Sequence, residues 1–263
     1  MRQKIYQVDA FTDRIFQGNP AAVCPLEKWL SDDTMQKIAM ENNLSETAFY
    51  VKEGETYRIR WFTPTVEVDL CGHATLATGF VLFNHESHPG NSISFITERS
   101  GMLRVTRDND LLTLDFPADI IEKVEIETEI SAGFNLAPKA VYKGKSDYLL
   151  IYSDEDEIVS IIPDFDKIAV MDCRGVIVTA PGKDVDFVSR FFGPQSGVDE
   201  DPVTGSAHTT LTPYWSGVLG KNRMTAMQLS RRKGYLTCRL TGDRVAISGT
   251  CRLYMTGYLE NIS

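Results

Sequence analysis

The chain has 263 residues, of which 43% are apolar and 24% charged, an ordinary balance for a soluble globular protein long enough to form two cores. Its net charge of −9 argues against a nucleic-acid or anionic-membrane surface, either of which needs clustered Lys and Arg. No apolar stretch reaches the ~18 residues of a membrane span, and none follows the basic N-terminus as a signal peptide requires.

Five scattered cysteines, Cys24, Cys71, Cys173, Cys238 and Cys251, fit neither a disulfide framework nor a paired-cysteine zinc site. A reduced, cytoplasmic compartment is expected, with no metal. The one basic run, Arg231-Arg232-Lys233, reads as decoration at the start of a strand.

In chain order, residues 3 to 11 read as a strand entering a loop that carries Gly18-Asn19-Pro20, and Ala21 to Cys24 resume an apolar strand that Pro25 is expected to stop. Ser31, Asp32 and Asp33 supply an N-cap and an acidic first turn for a helix whose buried stripe is Met35, Ile38, Ala39 and Leu44. Glu46 opens a strand over Thr47 to Val51, and Gly54 turns the chain into an alternating strand over Tyr57 to Phe62. Next comes Cys71-Gly72-His73-Ala74-Thr75-Leu76, which opens a segment to Phe83 that is apolar nearly all round. A helix can be so only with strands on every side. His85-Glu86-Ser87-His88 spaces two imidazoles at i, i+3, but Pro89-Gly90 follows and the run reads as a surface loop. A second Gly turn, Asp201-Pro202-Val203-Thr204-Gly205-Ser206-Ala207-His208, opens another apolar helix toward Leu219. Pro213 inside that helix predicts a kink or a late start.

The two Gly turns belong to a longer self-similarity. Arg60-Trp61-Phe62-Thr63-Pro64 matches Arg190-Phe191-Phe192-Gly193-Pro194 at an offset of 130, and Gly72-His73-Ala74-Thr75 matches Gly205-Ser206-Ala207-His208 at an offset of 133. Gly101-Met102-Leu103 matches Gly234-Tyr235-Leu236, and Asp110 matches Asp243, at that second offset. Two homologous halves follow, each a sheet curled around a central helix. Asp115-Phe116-Pro117 marks the crossing. The halves are residues 1–116 and 117–251, and residues 252–263 have no counterpart and are expected to return as a strand to the first half.

A duplicated protein places its cleft between its halves, and two Gly-turn helices can aim their N-termini into it. Helix dipoles and unpaired amides around Cys71, Gly72, His73 and Ala74, and around Thr204, Gly205 and Ser206, suit a small carboxylate. The hydroxyls of Thr204 and Ser206 add donors. Capping a buried helix is the plain alternative for either turn.

The titratable candidates are Glu46, Cys71, His73, Asp201 and His208. At the 130 offset Cys71 falls on Asp201, setting a thiol opposite a carboxylate, and Glu46 falls on Val176, so this acid has no twin. One unpaired acid suggests a single proton carrier. A nucleophile elbow, a phosphate loop and a dinucleotide fingerprint are all missing, which leaves proton transfer without a cofactor.

Val8-Asp9-Ala10-Phe11, Gly18-Asn19-Pro20-Ala21-Ala22-Val23, Asn43-Leu44-Ser45-Glu46-Thr47, Cys71-Gly72-His73-Ala74-Thr75 and Glu200-Asp201-Pro202-Val203-Thr204-Gly205-Ser206-Ala207-His208 resemble, in order, the signature blocks of the phenazine-biosynthesis PhzF-like proteins. The resemblance implies an α+β fold like that of diaminopimelate epimerase: two pseudo-symmetric domains, each a curved, barrel-like mixed sheet around a central helix, usually in a homodimer. It implies a cofactor-independent isomerase akin to trans-2,3-dihydro-3-hydroxyanthranilate isomerase, with Glu46 as general acid/base and His73, Asp201 and Ser206 holding and polarising a small carboxylated metabolite. Epimerases of this fold carry two facing cysteines, so an amino-acid epimerase or racemase using Cys71 is a second reading. A non-catalytic metabolite-binding protein that keeps the fold is a third.

Overall fold

In the computed structural model, which describes residues 2–262, the chain opens with an antiparallel pair, β1 (Gln3–Ala10) and β2 (Asn19–Leu26). β2 continues through Pro25, against expectation. β1 pairs with β2 only as far as Val23, so on that side the N–H that proline lacks has no ladder partner to lose. α1 (Asp32–Asn42) follows, capped by Ser31, whose hydroxyl accepts from the Thr34 N–H, and it buries Met35, Ile38 and Ala39. β3 (Glu46–Glu53) runs parallel to β2 and antiparallel to β4 (Thr56–Phe62). After the short β5 (Glu67–Val68) comes α2 (Gly72–Asn84), then β6 (Ser92–Ile96) parallel to β4, β7 (Met102–Asp108) and β8 (Leu111–Pro117).

α2 is the axis of this unit. Every residue from Gly72 to Gly79 is buried, and the helix packs against β1, β2, β3 and β7. A buried helix must silence its own polar side chains, and the hydroxyls of Thr75 and Thr78 do so by donating to the carbonyls of Cys71 and Ala74, at 2.5 and 2.7 Å. The His85–His88 run that follows is structural: Glu86 accepts from Tyr6 and Lys4, and His88 Nδ1 lies 2.9 Å from the Tyr57 hydroxyl.

The second unit contains β9 (Glu122–Val124), α3 (Thr128–Ala132), β10 (Ala140–Lys143), β11 (Asp147–Ile151), α4 (Glu155–Ser160), α5 (Phe165–Ala169) and β12 (Gly175–Pro181). It continues through β13 (Phe187–Gly193), a 3-10 turn (Pro194–Ser196), β14 (Val198–Glu200), α6 (Ala207–Leu219), β15 (Arg223–Gln228), β16 (Gly234–Thr241) and β17 (Arg244–Gly249). Its core is β-branched and aromatic, with Val141, Leu150, Val176, Val178, Val188 and Phe192 closed off by Ile158 and Ile168. A last strand, β18 (Cys251–Leu259), pairs antiparallel with β1. The compact units are Met1–Asp115 with Ser248–Ser263, and Phe116–Ile247.

The second unit repeats the pairings of the first. β10 and β11 are antiparallel, β11 and β12 parallel, β12 and β13 antiparallel, β13 and β15 parallel, and β15 and β16 antiparallel, as for β1, β2, β3, β4, β6 and β7. β9 lies on β10 as β18 lies on β1. The salt bridge Arg60–Glu67 recurs as Arg190–Glu200, each with Nε 2.7 Å from Oε1. Two pseudo-symmetric α+β domains, each a curved mixed sheet around a helix, are thus observed.

These registers correct two pairings read from the sequence. Phe62 faces Thr47 and Glu67, and Phe192 faces Val176 and Glu200. Glu46 therefore corresponds to Gly175 rather than Val176. The three extra residues of the second half fall before Glu200, so Cys71 corresponds to Thr204 rather than Asp201, and Asp201 corresponds to Val68. The side chains agree: Thr75 bonds the Cys71 carbonyl, and its counterpart His208 bonds the Thr204 carbonyl at 2.8 Å.

α6 keeps Pro213 in its interior. It begins at Ala207, two residues beyond the counterpart of Gly72. Pro213 cannot donate to the carbonyl of Thr209, and the N–H of Asp119 donates to it instead, at 3.1 Å.

Candidate active site

The candidate residues of the first unit meet at the head of α2. Glu46 is the first residue of β3, and Cys71 is the N-cap of α2. His73 sits in the first turn between Gly72 and Ala74, all three buried. Glu46 Oε2 lies 3.2 Å from His73 Nε2, with the carboxylate side chain 17% exposed and the imidazole 4%. On the other side of the ring, His73 Nδ1 is 3.1 Å from Asn19 Nδ2 and 3.5 Å from Cys71 Sγ.

An amide nitrogen only donates, so with this amide orientation Nδ1 accepts and the neutral ring carries its hydrogen on Nε2, the nitrogen beside Glu46. Asn19 thus sets the tautomer. It opens β2 and is fully buried. The sequence carried it inside Gly18-Asn19-Pro20 without a role, because its partner lies in α2.

Glu46, Cys71 and His73 each offer a ligand atom within 4.8 Å of the others. Three donors of mixed type can hold a divalent ion with an open position. The remaining buried thiols are of another kind: burial pushes Cys238 and Cys251 up to about 12, so neither is a thiolate at neutral pH.

In the second unit Asp201 follows β14, and its N–H donates to the Phe191 carbonyl at 3.1 Å. Its Oδ2 accepts from Thr204 Oγ1 at 2.5 Å. Gln228, fully buried at the end of β15, clamps this turn: Oε1 accepts from the Thr204 N–H at 2.8 Å, and Nε2 donates to the Asp201 carbonyl at 2.8 Å and to Thr204 Oγ1 at 3.1 Å. Gly205 is buried and Ser206 is the N-cap of α6. Ser206 Oγ is taken by Arg174 Nη1 at 2.8 Å, a partner the sequence did not reveal.

His208 is no part of a proton-transfer set. It is fully buried, its Nδ1 donates to the Thr204 carbonyl, and burial pushes its pKa down to about 4. It packs beside Phe187, which stacks on Trp215.

Residues 8–257 match the family described as phenazine biosynthesis-like protein. The chain belongs to the phenazine biosynthesis-like protein family. Within it, the chain is 53% identical over 260 residues to an uncharacterized isomerase of Pseudomonas aeruginosa, covering 99% of this chain and 100% of that one. A phenazine biosynthesis protein of the PhzF family from Enterococcus faecalis superposes with a TM-score of 0.96 at 48% identity, covering 99% and 100% of the two chains. A predicted epimerase from Pseudomonas aeruginosa shares the fold, with a TM-score of 0.74 at 19% identity over 99% of this chain and 100% of that one. Among the described residues of this family member, no helix is long and apolar enough to cross a membrane, and all five cysteines are free thiols.

Proposed function

We propose that this chain is a cofactor-independent isomerase that moves a proton within a small carboxylated, cyclic or amino-acid-like metabolite, as trans-2,3-dihydro-3-hydroxyanthranilate isomerase does. The observation that carries the reading is the pair Glu46–His73 at 3.2 Å, with Asn19 on the far side of the ring. The isomerase name of the 53% identical relative points the same way.

Glu46 takes a proton from an sp3 carbon. The C–H electron pair becomes a new C=C, the adjoining double bond shifts, and Glu46, now a carboxylic acid whose proton exchanges with water, returns a proton to the far carbon. His73 offers its Nε2 hydrogen to the Glu46 carboxylate before the first step and after the second. The buried Gly72–Ala74 turn beside this pair offers its amides to the substrate carboxylate.

Incubation with trans-2,3-dihydro-3-hydroxyanthranilate, followed by chromatography of the products, tests this. Wild type is expected to form an isomer, and Glu46→Gln to slow its formation by about 100-fold or more. Equal rates would remove Glu46 from the role.

A thiol-based epimerase is the second reading, favoured by Cys71 Sγ lying 3.5 Å from His73 Nδ1. The counterpart of Cys71 is the hydroxyl of Thr204, which is no thiol base. The isomerase reading accounts for more of the site.

A further inference from the structure

The strand registers set Gly175 of β12 where β3 has Glu46, and the α6 register sets Ser206 where α2 has His73. The acid–imidazole pair of the first unit thus has a counterpart position in the second. No side chain fits at Gly175. A Cβ there would lie 2.4 Å from Phe191 Cζ and 2.8 Å from the Phe192 carbonyl oxygen. The residue before it, Arg174, reaches the same place and donates from Nη1 to Ser206 Oγ at 2.8 Å. Where one unit carries an acid on an imidazole, the other carries a cation on a hydroxyl.

This guanidinium is built into position. Asp147, 3% exposed, accepts from Nε at 2.9 Å and from Nη2, and Asp147 occupies the register position that Ala21 holds beside Glu46. The Phe191 ring lies under the guanidinium, 5.2 Å from Cζ. A guanidinium has five N–H donors; three are engaged here, which leaves two on a side chain 39% exposed. Two other carboxylates act on Arg174, Asp201 and Asp119, and each is held by other donors: Asp201 by Thr204, Asp119 by Thr210 and the Lys145 N–H. The open donors of a fixed, planar fork suit a ligand carboxylate.

We propose that Arg174, held by Asp147 beside Ser206, is the residue of the second unit that binds a ligand carboxylate. This anchor stands on the second unit alone and goes beyond the isomerase reading. It assigns to the second unit a cationic anchor at the place where the first unit keeps its base.

The test is calorimetric binding of two probes, 3-hydroxyanthranilate and 2-aminophenol, which differ by one carboxylate. They are measured on wild type, Arg174→Gln and the double variant Asp147→Asn/Arg174→Gln. The double variant matters because Arg174→Gln alone strands a buried aspartate. Wild type is expected to prefer the carboxylated probe by roughly 10- to 100-fold, and both variants to prefer it by less than about threefold.

A merely structural defect weakens both probes together and leaves the ratio standing. The proposal is overturned if wild type shows no preference, or if the preference survives in a folded variant. Measuring the same ratio in Glu46→Gln separates the two readings, since binding needs no turnover. A preference that depends on Arg174 in a protein that isomerises nothing keeps the anchor and discards the isomerase.

Discussion

His73 and His208 sit in the first turns of corresponding helices, and their surroundings give them opposite chemistry. His73 meets a carboxylate at 3.2 Å, whereas His208 is buried beside Phe187, which stacks on Trp215, and its Nδ1 bonds the Thr204 carbonyl. Burial lowers the pKa of His208 to about 4, below the ~6.5 of an unfolded histidine. Protons therefore favour the unfolded chain. The stabilisation that neutral His208 gives is complete above about pH 6.5 and is lost as pH falls toward 4, about 3 kcal/mol in all by linkage. Urea unfolding at pH 7 and pH 4.5 checks this against His208→Thr, which borrows the residue of the first unit. The variant is expected to be less stable at pH 7 because of the void it leaves, and to lose distinctly less on acidification. An equal loss in both proteins would show that His208 is not the sensitive group.

At the scale of elements, the connection between β1 and β2 does the positioning. It holds two bulky residues at positive φ, Phe11 at 61° and Phe16 at 70°, a conformation that costs energy and persists only when its surroundings impose it. Asp9 accepts from the Phe16 N–H at 2.9 Å, and the Thr12 N–H donates to the Thr250 carbonyl at 3.0 Å. The loop ends in Gly18, at φ +66° with a Cβ position only 2.1 Å from the Ala10 carbonyl oxygen, and hands the chain to Asn19 and its bond with His73. Gly18→Ala is accordingly expected to cost at least about 2 kcal/mol in chemical denaturation, and to lower turnover further by displacing Asn19. A change under about 0.5 kcal/mol would contradict this account of the loop.

For the whole molecule, the duplication was readable because Arg60-Trp61-Phe62 and the two Gly turns kept their residue types, and because an all-apolar helix demands surrounding strands. Counterparts at single positions were not readable. A strand register is a property of backbone pairing, and the three residues added before Glu200 shift every later match, so Cys71 was set against Asp201 when its true counterpart is Thr204. Arg174 stayed hidden for a related reason: it reaches Ser206 from the position before the counterpart of Glu46, and its holder Asp147 comes from another strand. Asn19 stood in plain sight within a motif, but its task depends on a contact with α2 that no spacing encodes. The carboxyl at Glu46 was found because it broke the internal symmetry, and the claim that it carries the proton is central. The most direct measurement is deuterium incorporation from deuterated water into the isomerised product of trans-2,3-dihydro-3-hydroxyanthranilate, read by mass spectrometry for wild type, Glu46→Gln and Cys71→Ser. The account predicts that Glu46→Gln abolishes incorporation while Cys71→Ser retains it; incorporation that survives in Glu46→Gln and vanishes in Cys71→Ser would contradict it.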